Sequence, residues 1–312
     1  MKFNDIIKEV GRGKNSATDL PEEIAYELYS TMLRGEVPEL ELGALLIAFR
    51  IKGESEAEML GFYRAMEDCL PEMQARSGKP LPVVIPSYNG ARRQGNLTPL
   101  LALLLARQGV PVLVHGVTSD PKRVASAEVF AELGIKPNAT VADAQQALDK
   151  GEVAFLPVDV MSPKLDYLLK LRWRLGVRNS THTLVKLADP FHGQSVRLSS
   201  VTHPEYLEKS GSFLRASGAR ALLLRGTEGE VYANPKRCPR IVYFDKGEER
   251  VLVEAEAGTV PEIPDLPGAM DAVTTAAWIR QALAGEVPVP HPIQLQAACC
   301  LYASGATDTL PE

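Results

Sequence analysis

Three short segments of this 312-residue sequence together carry ten basic side chains. The segment from 164 to 186 holds six of them against a single acid, Asp166. Lysine and arginine pair with phosphate oxygens, and contacts to a nucleic-acid backbone carry no sequence information. The three segments therefore offer a set with the chemistry of phosphate binding: Arg92, Arg93, Lys122, Arg123, Lys164, Lys170, Arg172, Arg174, Arg178 and Lys186.

Two aromatic residues accompany these cations. Tyr88 lies shortly before the arginine pair, and Trp173 lies between two arginines. Flat aromatic faces stack on the bases of single strands, and this stacking tolerates any sequence. Other interpretations stay open, because a basic run on a helix is usually a solvated face, Trp173 is typical of a core, and Tyr88 can plug a pocket.

Other chemistry finds less support in the residue pattern. His115 and His182 are isolated and typical of structural histidines. Ser199, Ser200 and His203 resemble a hydrolase set, but the G-x-S-x-G turn that such a serine needs is absent from the sequence. Histidine pairs of the H-x-H or H-x-x-x-H kind and C-x-x-C spacings are absent too, so we predict no metal site.

Composition limits the class of protein. A net charge of −5 excludes a wholly basic nucleic-acid protein, but a local basic face is compatible with it because charges are screened over ~8–10 Å. Apolar runs stay far below the ~20 residues of a membrane span, and the first residues lack the apolar core of a signal peptide. We expect a cytoplasmic protein that does not contact membranes, with its four cysteines reduced and mostly buried.

The elements that position these residues change character near the linker SGKPLP at 77–82. Residues 1–70 predict three helices, with stops at Gly35 and Gly53 and a capping box from Ser55 to Glu58. We therefore expect a small helical domain over 1–78, joined by helices from about 164–188, and an α/β domain over 79–312.

Beyond the linker, short apolar strands alternate with helices. The segments VVIP, VPVLVHG, VAFLPV and ARALLLRG predict a mostly parallel sheet covered on both faces, and RIVYFD with RVLVEAE predicts an antiparallel addition. Residues 83–117 read as strand, loop, helix and strand. A loop between a first strand and a helix is where α/β enzymes hold phosphate, although glycines are scarce in this one.

Five segments, in their order and spacing, resemble anthranilate phosphoribosyltransferases and pyrimidine nucleoside phosphorylases. They are LRGEVPELELGALLIAFRIKGESEAEMLGFYRAM, GVPVLVHG, VASAEVFAELGI, LRWRLGVRNSTHTLVKLADP and HPEYLEKSGSFLRASGARALLLRGTEG. The resemblance covers most of the chain. It implies the nucleoside phosphorylase/phosphoribosyltransferase fold, with a small N-terminal helical domain, a larger α/β domain built on a mostly parallel sheet, and dimers formed through the helical domain.

The catalytic motifs of that family are degraded here. Where the enzymes carry G-T-G-G-D to hold pyrophosphate, residues 86–90 read PSYNG, so one N–H is lost to proline and a tyrosine would fill the space of a phosphate. The K-H-G-N motif has become VHGV at 114–117. The resemblance thus leaves a remnant phosphate site: Ser87, Tyr88, Asn89, Gly90, Asn96, Thr98, His115 and Gly116.

The magnesium site of the family is also missing. Its adjacent Asp-Glu pair corresponds to Val231 and Tyr232, and Glu228 and Glu230 are nearby but out of register. The loop, the lysine and the carboxylates all stabilise a diphosphate leaving group, and each such loss typically lowers the rate by ~10²–10³. We therefore expect no efficient phosphoribosyl transfer and no cofactor, with magnesium needed only if the chain is a transferase after all.

Four further segments resemble one subgroup of the family: PSYNGARRQGNLTPLL, RWRLGVRNSTHTL, LSSVTHPEY and TEGEVYANPKRCP. That resemblance implies dimers that bind nucleic acid without sequence preference. The resemblance to the wider family implies that the ten basic residues border one cleft, with Arg172 where the enzymes meet the anthranilate carboxylate and Lys186 where they have a proline. We expect binding of DNA or RNA, especially single strands.

The helical domain is expected to carry the dimer interface. Its apolar stripes present more surface than three helices can easily bury alone: Ile24, Leu28, Met32, Leu42, Leu45, Leu46 and Phe49. Two alternatives to nucleic-acid binding remain. One is a pentosyltransferase with an altered substrate, in which Asn96, Thr98, His115 and Arg172 keep partial roles, and the other is a protein that binds an unknown small ligand.

Overall fold

A computed structural model describes residues 2–13, 15–77 and 80–310. In chain order the helices are α1 Phe3–Val10, α2 Glu22–Arg34, α3 Glu39–Lys52, α4 Glu56–Glu67, α5 Thr98–Arg107, α6 Ser126–Glu132, α7 Val141–Lys150, α8 Val158–Met161, α9 Pro163–Lys170, α10 Arg172–Leu175, α11 Thr181–Leu184, α12 Tyr206–Ala216, α13 Ala272–Ala284 and α14 His291–Ser304. The strands are β1 Val83–Ser87, β2 Val112–Gly116, β3 Ala154–Pro157, β4 Val196–Val201, β5 Ala221–Thr227, β6 Glu230–Ala233, β7 Ile241–Asp245 and β8 Glu248–Val253.

The chain forms two compact units. The helical unit consists of the described residues up to Pro71 together with Val158–Pro190. The α/β unit consists of the described residues of Glu72–Pro157 and those from Phe191 onward. The predicted domain boundary between residues 78 and 79 lies outside the described residues. A small helical domain beside a larger α/β domain is the expected architecture, and it is confirmed.

The core of the helical unit forms where α2 crosses α4. The Tyr29 and Phe62 rings stack at 5.0 Å, and Phe49 meets Phe62 edge-on at 5.1 Å. A Cβ at Gly61 would lie 2.3 Å from the Glu22 carbonyl oxygen, so glycine permits this close crossing. The predicted capping box at Ser55 is confirmed. Among the described residues, four helices rather than three precede Pro71, because the short segment Phe3–Val10 also forms a helix, α1.

The predicted apolar stripes of α2 and α3 lie inside this core. Leu28 and Leu45 are completely buried, and the other members of the set are at most 5% exposed except Ile24, at 37%. The argument that these residues leave an apolar surface uncovered was therefore wrong. The uncovered apolar side chains of α3 are instead Leu40, 83% exposed, and Ile51, 59% exposed.

The α/β unit is built on an eight-stranded sheet in the order β3-β2-β1-β4-β5-β7-β8, with β6 paired to β5. The pairs from β3 to β5 are parallel, and those of β7 with β5 and β8 are antiparallel, as predicted. Every residue of β1 and β2 is buried, as expected of strands covered on both faces. In the described part of the chain, no helix could span a membrane.

Candidate functional site

The remnant phosphate residues come together at the carboxyl ends of β1 and β2. Pro86 and Ser87 lie in parallel register with His115 and Gly116. A Cβ at Gly116 would be 1.8 Å from the Ser87 carbonyl oxygen, so the two strands can approach this closely only with glycine there. The loop from Tyr88 to Leu97 follows at this edge and leads into α5, as the strand, loop and helix pattern predicted.

The loop is filled by a carboxylate of the chain itself. Glu230 is completely buried, and its Oε1 accepts the backbone N–H groups of Asn89 at 2.9 Å and Gly90 at 2.7 Å. Its Oε2 accepts the hydroxyl of Thr98 at 3.2 Å. Sequence reasoning had noted Glu230 only as out of register with the magnesium carboxylates. We call Glu230 with its three donors the loop cradle.

The turn between β5 and β6 fastens the loop from the same side. The Glu228 carboxylate accepts the Arg92 N–H at 2.8 Å, and the Asn89 amide donates to the Gly229 carbonyl at 2.8 Å. The Arg123 guanidinium donates to the carbonyl oxygens of Gly90 at 3.3 Å and Glu228 at 3.0 Å. Arg123 was predicted to contact nucleic acid, but its side chain serves here to hold two backbone segments together.

Asn96, the other predicted phosphate contact, also turns inward. Its amide donates to the Val124 carbonyl at 3.2 Å and to the Ser126 hydroxyl at 3.1 Å, and its Oδ1 accepts the Thr98 N–H. Ser87 donates to Ser126 at 2.6 Å. These polar groups are almost completely buried and satisfy one another, so they stabilise the loop.

Tyr88 and His115 form a buried pair. The phenol oxygen lies 2.7 Å from Nδ1 of His115, and the rings meet edge-on with centroids 5.4 Å apart. Tyr88 is only 7% exposed, so the expectation that it offers a flat face to a base is wrong. The group that meets the loop N–H donors is Glu230 and not the tyrosine, because the Tyr88 side chain is directed to β2.

The residues in place of the magnesium carboxylates do not fit a cation. Val231 is a core residue, 1% exposed, and the completely buried Tyr232 donates its hydroxyl to the Gly95 carbonyl at 3.2 Å. Across the described residues, no group of three or more His, Cys, Asp or Glu side chains could hold a metal ion. We therefore assign no magnesium chemistry to this part of the chain.

Exposed cations surround the outside of the loop cradle. Arg92, Arg93 and Lys122 are exposed on two loops that are joined by backbone hydrogen bonds between Ala91 and Val124. Within the described part of the chain, neither the Arg92 nor the Arg93 guanidinium forms an ion pair. Their charges are therefore available to an anion from solvent.

A second group of cations lies in the helical unit, on and after α10. Trp173 is 55% exposed, and the Arg172 guanidinium carbon lies 4.3 Å from the centroid of its ring. Of the two open interpretations of Trp173, burial in a core is wrong. A left-handed Gly176 ends this short helix. We call Arg172, Trp173, Arg178 and Lys186 the tryptophan cluster.

His182 lies within reach of the charges of the tryptophan cluster. Partial burial, followed by the charges of Arg178, Arg172 and Lys186, lowers the pKa of His182 to about 3. Its Nδ1 lies 3.3 Å from both the backbone nitrogen and Oδ1 of Asn179. The imidazole is therefore neutral at pH 7, and the structural role of His182 stays a prediction.

Two other basic residues of this segment form ion pairs with acids. Lys170 pairs with Asp166 at 2.6 Å, and Arg174 pairs with Glu39 at 3.2 Å, both on the surface. Lys164 is exposed. Because exposed pairs typically contribute only ~0–1 kcal/mol, phosphate could still compete for these side chains.

The four cysteines are free thiols and three of them are buried, as expected.

The predicted binding residues therefore form two groups in two different units. The loop residues and Arg92, Arg93 and Lys122 belong to the α/β unit, and the tryptophan cluster belongs to the helical unit. Their assembly around one cleft stays a prediction. Sequence reasoning missed Glu230, since its partners lie about 140 positions away in the chain.

Comparison with known proteins gives the family. The "Glycosyl transferase family, helical bundle domain" matches residues 4–69, and the "Glycosyl transferase family, a/b domain" matches residues 89–312. The uncharacterized protein YbiB of Escherichia coli (strain K12) is 53% identical over 313 residues, covering 100% of this chain and 97% of that protein.

Anthranilate phosphoribosyltransferase of Thermus thermophilus is 28% identical over 303 residues, covering 94% of this chain and 88% of that enzyme. The crystal structure of anthranilate phosphoribosyltransferase (TrpD) from Thermus thermophilus matches with a TM-score of 0.76 at 28% identity, covering 98% of this chain and 91% of that one. The chain therefore belongs to this glycosyl transferase family, with both its helical bundle domain and its a/b domain, and is anthranilate phosphoribosyltransferase-like.

Proposed function

We propose that this chain binds nucleic acid, single strands above all, without reading the base sequence, and that it does so as a homodimer. Lysine and arginine side chains meet backbone phosphates, and Trp173 stacks on a base. This combination of a positive surface with an exposed aromatic face is typical of proteins that hold single strands nonspecifically.

The tryptophan cluster is the observation that carries the proposal. Trp173 is 55% exposed, so packing in a core does not explain its presence. The Arg172 guanidinium lies over its ring. Arg178 and Lys186 lie close enough to lower the pKa of the same histidine as Arg172. A base on the indole would bring its flanking phosphates into the reach of these cations.

In the loop from Tyr88 to Leu97, exposed arginine side chains are available for phosphate contacts, whereas the inward backbone N–H groups are not. The inward donors of the loop are taken by Glu230, whereas Arg92 and Arg93 are exposed and unpaired within the described chain. The loop can therefore offer charge to a polyanion at its surface while its interior stays closed.

The homodimer is proposed to form through the helical unit. On α3, the side chains of Leu40, Ala44, Ile47 and Ile51 are spaced as one helical stripe and are partly or largely exposed. A groove of about 230 Å³ is lined by Ala44, Ile47 and Ile51 of this stripe and by Ile7 and Val10 of α1. A dimer would cover this surface and present two sets of cations to one long strand, which raises avidity.

Tryptophan fluorescence tests the proposal directly. The chain has two tryptophans, and Trp278 is 6% exposed with its Nε1 donating to the Asp265 carbonyl at 2.7 Å. Titration with single-stranded oligonucleotides of several sequences should quench Trp173 to a similar extent for each. In Trp173→Phe the quenching should disappear while binding by anisotropy persists.

Truncation separates stacking from folding. Trp173→Ala should weaken binding by roughly 5- to 150-fold, because stacking of one base on an aromatic side chain contributes ~1–3 kcal/mol. Its thermal stability should stay close to that of the wild type, since exposed substitutions usually change stability by less than ~0.5 kcal/mol. Oligonucleotides that leave the fluorescence unchanged and do not bind at ~50 mM salt would refute the proposal.

Pentosyl transfer with an altered substrate is the second candidate, and the family assignment favours it. Against it, Asn96 and Thr98 are bonded inside the loop, and Glu230 takes the loop N–H groups. We expect no consumption of anthranilate, followed by its fluorescence, with phosphoribosyl pyrophosphate and magnesium. Turnover above roughly 1% of a typical enzyme's ~10 s⁻¹ would put this candidate ahead.

A further inference from the structure

The loop between β6 and β7 carries cations that the candidate site described above does not include. Residues 234–240 read NPKRCPR, and the sequence has no acid from 231 to 244. Lys236, Arg237 and Arg240 are exposed. Arg240 pairs with Glu254 at 3.5 Å, whereas within the described residues the side chains of Lys236 and Arg237 form no ion pair or hydrogen bond. Two positive charges of this loop are therefore available to an anion from solvent.

The backbone of the β6–β7 loop is fixed, although its cations are exposed. The Oδ1 of Asn234 accepts the Lys236 N–H at 2.9 Å, and its carbonyl oxygen accepts the Arg237 N–H at 3.1 Å. The Lys236 carbonyl oxygen accepts the Val260 N–H at 3.0 Å. The side chain of Cys238 is buried, with 3% exposure. The loop thus presents Lys236 and Arg237 from a fixed backbone, and binding has to order only their side chains.

The acids that follow β8 do not neutralise these two cations. Glu254 pairs with Arg240, as described. The carboxylate of Glu256 lies beside the Cys238 thiol, because burial and then this negative charge raise the pKa of that thiol. The two acids nearest to the β6–β7 loop are therefore engaged on its other residues.

The β6–β7 loop lies at the same edge of the sheet as the loop from Tyr88 to Leu97. The residues on either side of it pair with Gly226 and Leu224, near the carboxyl end of β5. The strands β1, β4 and β5 are adjacent and parallel, so their carboxyl ends share one edge. Because only β4 separates β1 from β5, the two strand ends are roughly 10 Å apart, which is two strand spacings.

We infer that Lys236 and Arg237 bind phosphates of a single-stranded nucleic acid. The same strand meets Arg92 and Arg93 and crosses the carboxyl ends of β1, β4 and β5 between the two pairs of cations. The ligand is the phosphodiester backbone, so these contacts do not depend on the base sequence. This inference rests on the proposed function and adds to it a second contact loop in the α/β unit.

A double substitution with a matched control tests the inference. Anisotropy of a fluorescein-labelled single-stranded DNA across a salt series gives the slope of log affinity against log salt concentration. Lys236→Ala with Arg237→Ala should reduce this slope by about 1 to 1.5, because two phosphate contacts are lost. Arg240→Ala removes a paired arginine of the same loop and should leave the slope unchanged. The thermal stability of both variants should stay close to that of the wild type, since these side chains are exposed.

Combining the two loops tests whether one strand meets both. Adding Arg92→Ala and Arg93→Ala to the double variant should reduce the slope by about 2 to 3 in total. If the pairs belonged to separate sites, the stronger site would determine the slope and the losses would not add. Non-additive losses, or a double variant with the slope of the wild type or of Arg240→Ala, overturn the inference and leave the proposed function standing. A wild-type protein that does not bind at ~50 mM salt overturns both.

Discussion

At the scale of single residues, the hydrogen-bond partners decide which basic side chains can serve a ligand. Arg123 holds the carbonyl oxygens of Gly90 and Glu228, so it belongs to the framework of the loop. Within the described residues, the guanidinium groups of Arg92 and Arg93 form no comparable hydrogen bonds. Sequence composition cannot separate these cases, because all three arginines sit in polar loops and differ only in their distant partners.

His182 gives a prediction about stability and pH. Its pKa is lowered to about 3 in the folded chain, from an ordinary value of 6.5, by burial and by Arg178, Arg172 and Lys186. Between pH 6.5 and 3 the unfolded chain binds a proton that the folded chain does not, so stability falls as the pH falls. This histidine should contribute a loss of up to about 1.4 kcal/mol per pH unit in that window.

Urea unfolding at a series of pH values measures this contribution. His182→Gln removes the titrating group, so its free energy of unfolding should fall less steeply than that of the wild type below pH 6.5. Above pH 7 the difference between the two proteins should be constant. Parallel curves through the whole acidic range would show that His182 titrates normally and that the three cations lie farther from it.

The register of the degraded motifs could be predicted from the sequence, but their contacts could not. The positions of Tyr88 and Glu230 followed from matching residues to family motifs. That Tyr88 turns to His115 depends on the pairing of β1 with β2, and that Glu230 enters the loop depends on how β6 packs near β1. Such contacts join residues 27 and 141 positions apart, and local patterns contain no signal for them.

At the scale of elements, segments with strong hydrophobic periodicity could be predicted from the sequence, whereas short or polar segments could not. The helices α2, α3 and α4 follow from their apolar stripes and stops. The strand β4 was missed because Arg197, Ser199 and Ser200 give it a polar appearance, although Arg197 and Ser199 are buried at the centre of the sheet. Before α6, backbone pairing of Val124 with Ala91 keeps the chain extended.

The exposed stripe of α3 gives a prediction about assembly. We expect light scattering to give about twice the 33.9 kDa mass of the chain at micromolar concentration. Ile47→Glu places a charge in the middle of the stripe and should produce a monomer without unfolding, because this side chain is only partly buried.

Val273 provides the matched control for this experiment. It is 61% exposed on α13 in the α/β unit, so Val273→Glu adds the same charge to another exposed aliphatic position. That variant should remain a dimer. A wild-type protein that is monomeric at micromolar concentration, or equal behaviour of the two variants, would argue against an interface on α3.

At the scale of the whole molecule, an acidic chain carries local basic surfaces. The net charge is −5, yet residues 164–186 hold six basic residues against one acid. The screening length in physiological salt is ~8 Å. A nucleic-acid strand near these residues is therefore subject to their positive potential and hardly to that of the distant acids. Two dimer-related sets of cations would also make binding depend on strand length, since a short oligonucleotide cannot span both.

The salt dependence of binding tests the central claim most directly. Each phosphate contact on a single strand should contribute about −0.7 to the slope of log affinity against log salt concentration. Anisotropy across a salt series should therefore give a steep slope for the wild type and similar affinities for different sequences. Arg92→Ala with Arg93→Ala should reduce the slope by about 1 to 1.5. Arg240→Ala, which removes an exposed arginine paired with Glu254, should leave it unchanged. Salt-independent binding, or slopes that are equal in the wild type and the double variant, would contradict the proposal that these arginines bind phosphates.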